Sequence, residues 1–194
     1  MKDWKKELLT IPNLLSLFRL VLIPVYVAIY INATQPDDYF VAAAILAVSC
    51  LTDLIDGKIA RHFNMISTVG KILDPLADKA TQFTLIVCLA MKHDIIWYMV
   101  ALFFIKELFQ LIAGLVTIRN GKMLRGALIT GKVCTTILFI SLIIMVLMPA
   151  LPEKIITIIT IIDIGFLLIS FIDYIATYLF FTKRFEPIEK PTIQ

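Results

Sequence analysis

Residues 51–80, LTDLIDGKIARHFNMISTVGKILDPLADKA, carry two pairs of aspartates, Asp53 with Asp56 and Asp74 with Asp78, in an otherwise lipid-like chain. On a helix the first pair is spaced i, i+3 and the second i, i+4, so each pair shares one face. Carboxylates are costly inside a bilayer and mark function there. Four oxygen donors converging on one point would repel one another without cations between them, and hard oxygen ligands favour Mg²⁺, Mn²⁺ or Ca²⁺ over thiolate-seeking metals. The bland alternative is that these acids pair with Lys58, Lys71 and Lys79. Four aspartates with Gly57, Gly70 and Arg61 inside 26 residues make a site the stronger reading.

The composition puts these acids in a membrane. Of 194 residues 60% are hydrophobic and 17% charged, and the mean hydropathy is +0.91, which excludes an ordinary soluble domain. Apolar stretches near the ~20 residues that cross a bilayer run over 14–32, 39–63, 68–91, 95–118, 127–149 and 155–181. The sequence therefore predicts an all-α integral membrane protein, one domain over 1–194, with a six-helix transmembrane bundle over 14–181 and a tail over 182–194. Before the bundle, residues 1–12 set Trp4, Leu8, Leu9 and Ile11 against Lys2, Lys5 and Lys6. That is the profile of a short interfacial amphipathic helix, a solvated tail that only sets topology being the alternative.

Positive charge orients the bundle, because cytoplasmic flanks collect Lys and Arg. One set of flanks holds Lys2, Lys5, Lys6, Arg61, Arg119, Lys122, Arg125, Lys183, Arg184 and Lys190, and the other only Lys92 and Lys154. Both termini and the aspartate cluster are thus expected on the cytoplasmic side of a multi-pass integral membrane protein. The formal net charge of +3 reflects this topology and attraction to anionic headgroups, with no case for nucleic acid. Cys50, Cys88 and Cys134 fall inside the spans, an odd number at wide spacing. They read as small core residues without a disulfide framework or zinc site. His62 and His93 receive no role.

With this orientation Asp53 and Asp56 lie one to two turns above the cytoplasmic rim on helix 2, and Asp74 and Asp78 at a matching depth on helix 3. Gly57 and Gly70 allow close helix or ligand approach. Pro75 falls where a kink would open a polar cavity, and Arg61 can grip a phosphate. A divalent-metal site beside a lipid-facing groove suits a substrate with one charged and one greasy end.

The same window reads D-x-x-D-G-x-x-A-R, eight residues, then G-x-x-x-D-x-x-x-D, filled by Asp53, Asp56, Gly57, Ala60, Arg61, Gly70, Asp74 and Asp78. It resembles the signature of the CDP-alcohol phosphatidyltransferases. IPNLLSLFRLVLIP, with Asn13, Ser16, Arg19 and Pro24, is similar to that family's first helix. The resemblance implies transfer of a phosphatidyl group from CDP-diacylglycerol to an alcohol, with release of CMP. It implies that Asp53, Asp56, Asp74 and Asp78 ligate two divalent cations, Mg²⁺ or Mn²⁺, with Asp78 also the catalytic base. Gly57, Ala60, Arg61 and Gly70 would line the nucleotide and CDP-lipid pocket, and a homodimer is expected.

The nearest branch makes phosphatidylglycerophosphate from sn-glycerol 3-phosphate. That branch has Arg-Glu in helix 4, a further Arg about two turns on, and G-K-x-K-T opening helix 5. This chain has Lys106-Glu107, Gly114 and Gly131-Lys132-Val133-Cys134-Thr135. An acceptor phosphate still needs cations, and Lys106, Lys132, Arg119 and Arg125 are the candidates. Lys132 and Arg125 also read as interface anchors, and Glu107 as a partner of Lys106 or Lys132. Asp163 and Asp173 read as packing partners. A CDP-diacylglycerol-dependent cardiolipin synthase is the alternative. An intramembrane prenyltransferase, which would want two separated Asp-rich motifs on a larger bundle, and a cation transporter, which would want an inverted repeat, are remoter.

Overall fold

The computed structural model describes residues 10–62, 70–124, 128–180 and 185–187, without side chains at 11, 12, 36, 50, 53–62, 70–72, 122–124 and 185–187. Among them are six helices: α1 Ile11–Asn32, α2 Pro36–His62, α3 Gly70–Ala90, α4 Ile96–Arg119, α5 Ile129–Leu147 and α6 Glu153–Phe180. These follow the expected spans to within a few residues. The proposed interfacial helix over 1–12 falls almost wholly outside the described residues.

Local chemistry accounts for several boundaries. α2 opens with Pro36, whose missing N–H is no loss in a first turn, and Asp38 reaches back to accept from the backbone N–H of Gln35 and of Thr34, each at 2.9 Å. This is the carboxylate half of a capping box. α4 ends on Asn120 and Gly121, and Gly121 takes φ 71°, a left-handed value that favours glycine, while its N–H bonds the Ile118 carbonyl at 2.9 Å. Pro24 lies inside α1 and Pro75 inside α3, and both helices continue through them.

Four of the helices are long and apolar enough to cross a membrane: α1 from Asn13, α4, α5 and α6. Large apolar side chains such as Val21, Phe104, Leu111, Ile161 and Ile172 are exposed along them, as expected where the solvent is lipid. The buried positions are often polar. In α6 they are Ile156, Thr160, Asp163, Leu167, Ser170, Tyr174 and Thr177, a four-three alternation that keeps one narrow seam against its neighbours.

The chain forms two compact units, residues 1–92 with 142–151, and residues 93–141 with 152–194. In the first, α1 packs on both α2 and α3. Ser16 meets Asp74, 58 residues on, and Ala33 meets Lys92, 59 residues on, so α1 and α3 run parallel in near-constant register. Tyr30 near the end of α1 stacks edge-on against Tyr39 near the start of α2, centroids 5.7 Å apart, so α2 runs back antiparallel. At this end Lys92 donates to the Tyr39 hydroxyl and lies 4.9 Å from the Tyr30 ring centroid.

In the second unit Thr130 bonds Asp173 across 43 residues and Ser141 bonds Asp163 across 22; the shrinking separation makes α5 and α6 antiparallel. α4 and α6 are parallel: His93 ahead of α4 pairs with Glu153 at the start of α6 at 2.8 Å, and Phe109 packs on Phe171 further along. One feature absent from the sequence reading is a two-stranded antiparallel ribbon, β1 Lys122–Leu124 with β2 Phe185–Pro187, registered Lys122↔Pro187 to Leu124↔Phe185. The sequence reads as a loop at one strand and a tail at the other, because pairs this short carry no periodicity.

Candidate functional site

In the first unit α1 supplies a buried polar row, Asn13, Ser16 and Arg19, each no more than 2% exposed. The residues sit three apart, so one face of α1 carries all of them. Ser16 donates its hydroxyl hydrogen to Oδ1 of Asp74. Asp74 and Asp78 are both half-buried, one turn apart on α3, with Ala77 fully buried between them.

The backbone of α2 carries Asp53 and Asp56 one to two turns past Ser49, which lines a groove with Leu22, Tyr26, Thr81 and Leu85. Because α2 is antiparallel to α1, those turns descend toward the level of Ser16 and Asp74. Gly57, Ala60 and Arg61 occupy the last turns of α2, and Gly70 opens α3. The side chains of Asp53, Asp56 and Arg61 lie outside the described residues, as do those of Lys58 and Lys71.

The donors that are described fit a hard divalent cation: Asp74 and Asp78 offer oxygen only, on adjacent turns, and the hydroxyl of Ser16 engages one of them. Among the described residues no three His, Cys, Asp or Glu side chains gather as a metal set; Asp53 and Asp56 are not within that search.

The second unit holds the candidates for the acceptor. Lys106, 3% exposed, donates to Glu107 and to Gln110, each at 2.7 Å. Its ammonium also lies 5.7 Å from the Tyr174 ring centroid, close enough for a cation–π attraction. Lys106 is thereby one of the two partners anticipated for Glu107. Lys106 is therefore a buried cation already neutralised within its own helix. Lys132 and Arg119 are exposed, and Arg125 lies outside the described residues.

Asp163 and Asp173 bond Ser141 at 3.0 Å and Thr130 at 2.5 Å, the packing role expected of them. Cys88 and Cys134 are buried, the core setting expected of them. Gln110, Tyr174 and the His93–Glu153 pair escaped the sequence reading. For Tyr174 the signal was present in the polar four-three spacing of α6, but it is invisible to a search for apolar periodicity.

Residues 9–180 match the model of the family "CDP-alcohol phosphatidyltransferase", and the chain belongs to that family. A stretch of 119 residues is 33% identical to a "Probable phosphatidylglycerophosphate synthase" of Mycobacterium tuberculosis, covering 60% of this chain and 57% of the relative. A "CDP-diacylglycerol--glycerol-3-phosphate 3-phosphatidyltransferase" of Rickettsia bellii is 37% identical over 86 residues, 44% of this chain and 46% of the relative. A "Cardiolipin synthase (CMP-forming)" of Streptomyces coelicolor is 40% identical over 77 residues, 38% of this chain and 35% of the relative. The chain spans about half the length, or less, of these relatives.

Proposed function

We propose that this protein transfers the phosphatidyl group of CDP-diacylglycerol to an alcohol, releasing CMP, and that the acceptor is sn-glycerol 3-phosphate. The observation that carries the transfer is the complete D-x-x-D-G-x-x-A-R and G-x-x-x-D-x-x-x-D pattern, lying within the residues that match the family. Relatives named for the glycerol 3-phosphate reaction support the acceptor. Cardiolipin formation is the second reading, favoured by a relative of that name and by the Lys106–Glu107 pair, which leaves this position less cationic than an unpaired residue would be.

In this reading Asp53, Asp56, Asp74 and Asp78 hold two divalent cations, Mg²⁺ or Mn²⁺. Divalent cations held there would supply positive charge to the pyrophosphate oxygens and to departing CMP. Gly57, Ala60, Arg61 and Gly70 line the nucleotide pocket, small residues allowing close approach and Arg61 offering a planar donor fork to phosphate. Asp78 takes the proton from the acceptor hydroxyl. The new bond forms between that oxygen and the lipid-bearing phosphorus as the bond from phosphorus to the CMP oxygen breaks, with entering and leaving oxygens in line. The acceptor's phosphate is held by Lys106, Lys132, Arg119 and Arg125. All six helices cross the membrane, residues 1–12 form an interfacial helix, and both termini and the site face the cytoplasm of a bacterial cell. A homodimer completes the reading, checked by light scattering of the purified protein.

The test is purified protein with CDP-diacylglycerol and Mg²⁺ or Mn²⁺, offered glycerol 3-phosphate or phosphatidylglycerol, with CMP and lipid product followed by mass spectrometry. Glycerol 3-phosphate should be consumed, and EDTA should abolish turnover. Turnover in EDTA would remove the metal reading. Phosphatidylglycerol as the better acceptor would make the enzyme a cardiolipin synthase.

A further inference from the structure

We infer that Ser16 of α1 is a positioning residue for the metal site, holding the Asp74 carboxylate in the orientation that presents its other oxygen to a cation. The inference rests on the reading of Asp74 as a metal ligand. It adds a residue from outside the aspartate motif and on another helix.

Three observations carry it. Ser16 is fully buried, 0% exposed, at a position where a hydroxyl has no water to satisfy it. Its hydroxyl donates to Oδ1 of Asp74, a carboxylate on another helix. The contact is also fixed by the framework: α1 and α3 keep a separation of 58 residues here and 59 at their other ends, so the pairing belongs to the helix register. A single hydroxyl donor directed at one carboxylate oxygen restricts rotation about the bond that carries the carboxylate. Asp74 then meets a cation through Oδ2 without first being ordered. Such outer-shell bonds are worth about 10–100-fold in metal affinity.

A merely structural bond, gluing α1 to α3, would give the same contact and must be told apart from it. The full-length protein in detergent is titrated with Mn²⁺, using paramagnetic resonance of the free ion for affinity and thermal unfolding in EDTA for metal-free stability. Wild type is compared with Ser16→Ala, Ser16→Cys, Ser16→Thr, Asp74→Asn and the Ser16→Ala/Asp74→Asn pair. Ala and Cys remove the strong donor with little change of volume, and Thr keeps it.

The expected result is that Ser16→Ala and Ser16→Cys weaken Mn²⁺ binding about 10–100-fold while Ser16→Thr restores it toward wild type. On the Asp74→Asn background, Ser16→Ala should cost nothing further, as a coupled pair requires. If Ser16→Ala lowers only the metal-free stability and Mn²⁺ affinity is unchanged, the positioning role is overturned and the bond is structural. Additive losses in the double variant would overturn it as well. If Asp74→Asn itself leaves Mn²⁺ affinity intact, the ligand reading of Asp74 fails, a result distinct from failure at Ser16 alone.

Discussion

Asp78→Asn keeps the shape of the side chain and removes its capacity to accept a proton. An alcohol has a pKa far above neutrality, so the base matters most as phosphorus is attacked; kcat should fall by about two to four orders of magnitude. CDP-diacylglycerol with Mn²⁺ should still raise the unfolding temperature of the variant, since binding to the folded state alone stabilises it. Loss of that stabilisation, as complete as in Asp56→Asn, would make Asp78 chiefly a ligand. A second residue gives a pH signature. The backbone N–H groups of Gln35 and Thr34 hold the Asp38 carboxyl below the usual carboxylate range. A group whose folded value is depressed contributes stability above its unfolded pKa and loses it as pH falls through the folded value. Asp38→Asn should therefore lower the unfolding temperature at neutral pH, and the gap to wild type should close as the pH drops below the usual carboxylate value. A gap unchanged at acid pH would mean the cap does not depend on charge. At this scale the sequence was most legible where charge opposes its surroundings: Asp53, Asp56, Asp74 and Asp78 stand out because lipid penalises them. Ser16 did not stand out by chemistry, because a serine in a membrane helix is commonplace and its partner lies 58 residues away.

Among the elements, α5 and α6 show how closely packing is specified. A Cβ placed on Gly131 would lie 2.8 Å from the Tyr174 hydroxyl oxygen and 3.0 Å from a ring carbon, too near for a stiff aromatic to yield freely. Gly131→Ala should cost about 1–3 kcal/mol, read as a lower unfolding temperature in detergent. Because Tyr174 lies against Lys106, the variant should also raise the KM for the acceptor more than that for CDP-diacylglycerol. An unchanged acceptor KM would separate Tyr174 from the acceptor site. Helix number and bounds were readable from hydropathy, since each stretch has the length a bilayer demands. Packing faces were not. Most of the α6 surface is apolar, and its buried seam is marked by Thr160, Asp163, Ser170 and Thr177, the inverse of the pattern in a water-soluble helix.

Within each unit successive helices alternate in direction, and the Lys and Arg bias of the flanks predicts which ends face the cytoplasm. In a background without Cys50, Cys88 and Cys134, Lys154→Cys should react with an impermeant thiol reagent in intact cells, and Lys122→Cys only after the membrane is opened. External labelling at 122 would invert the topology.

The sequence by itself determined the membrane-like composition, the helices among the described residues and the family, and it singles out the aspartates proposed as the site, because each follows from local composition or from spacing within one or two helices. Tertiary structure decided what depends on register between distant segments: the parallel setting of α1 on α3 that brings Ser16 to Asp74, the approach of Lys106 to the Tyr174 ring, the seat of Tyr174 over Gly131, and the β1–β2 ribbon. In lipid, apolar patterning does not distinguish the outside of a helix from its packed face, so these pairings are set by small and polar residues whose partners only the folded chain reveals.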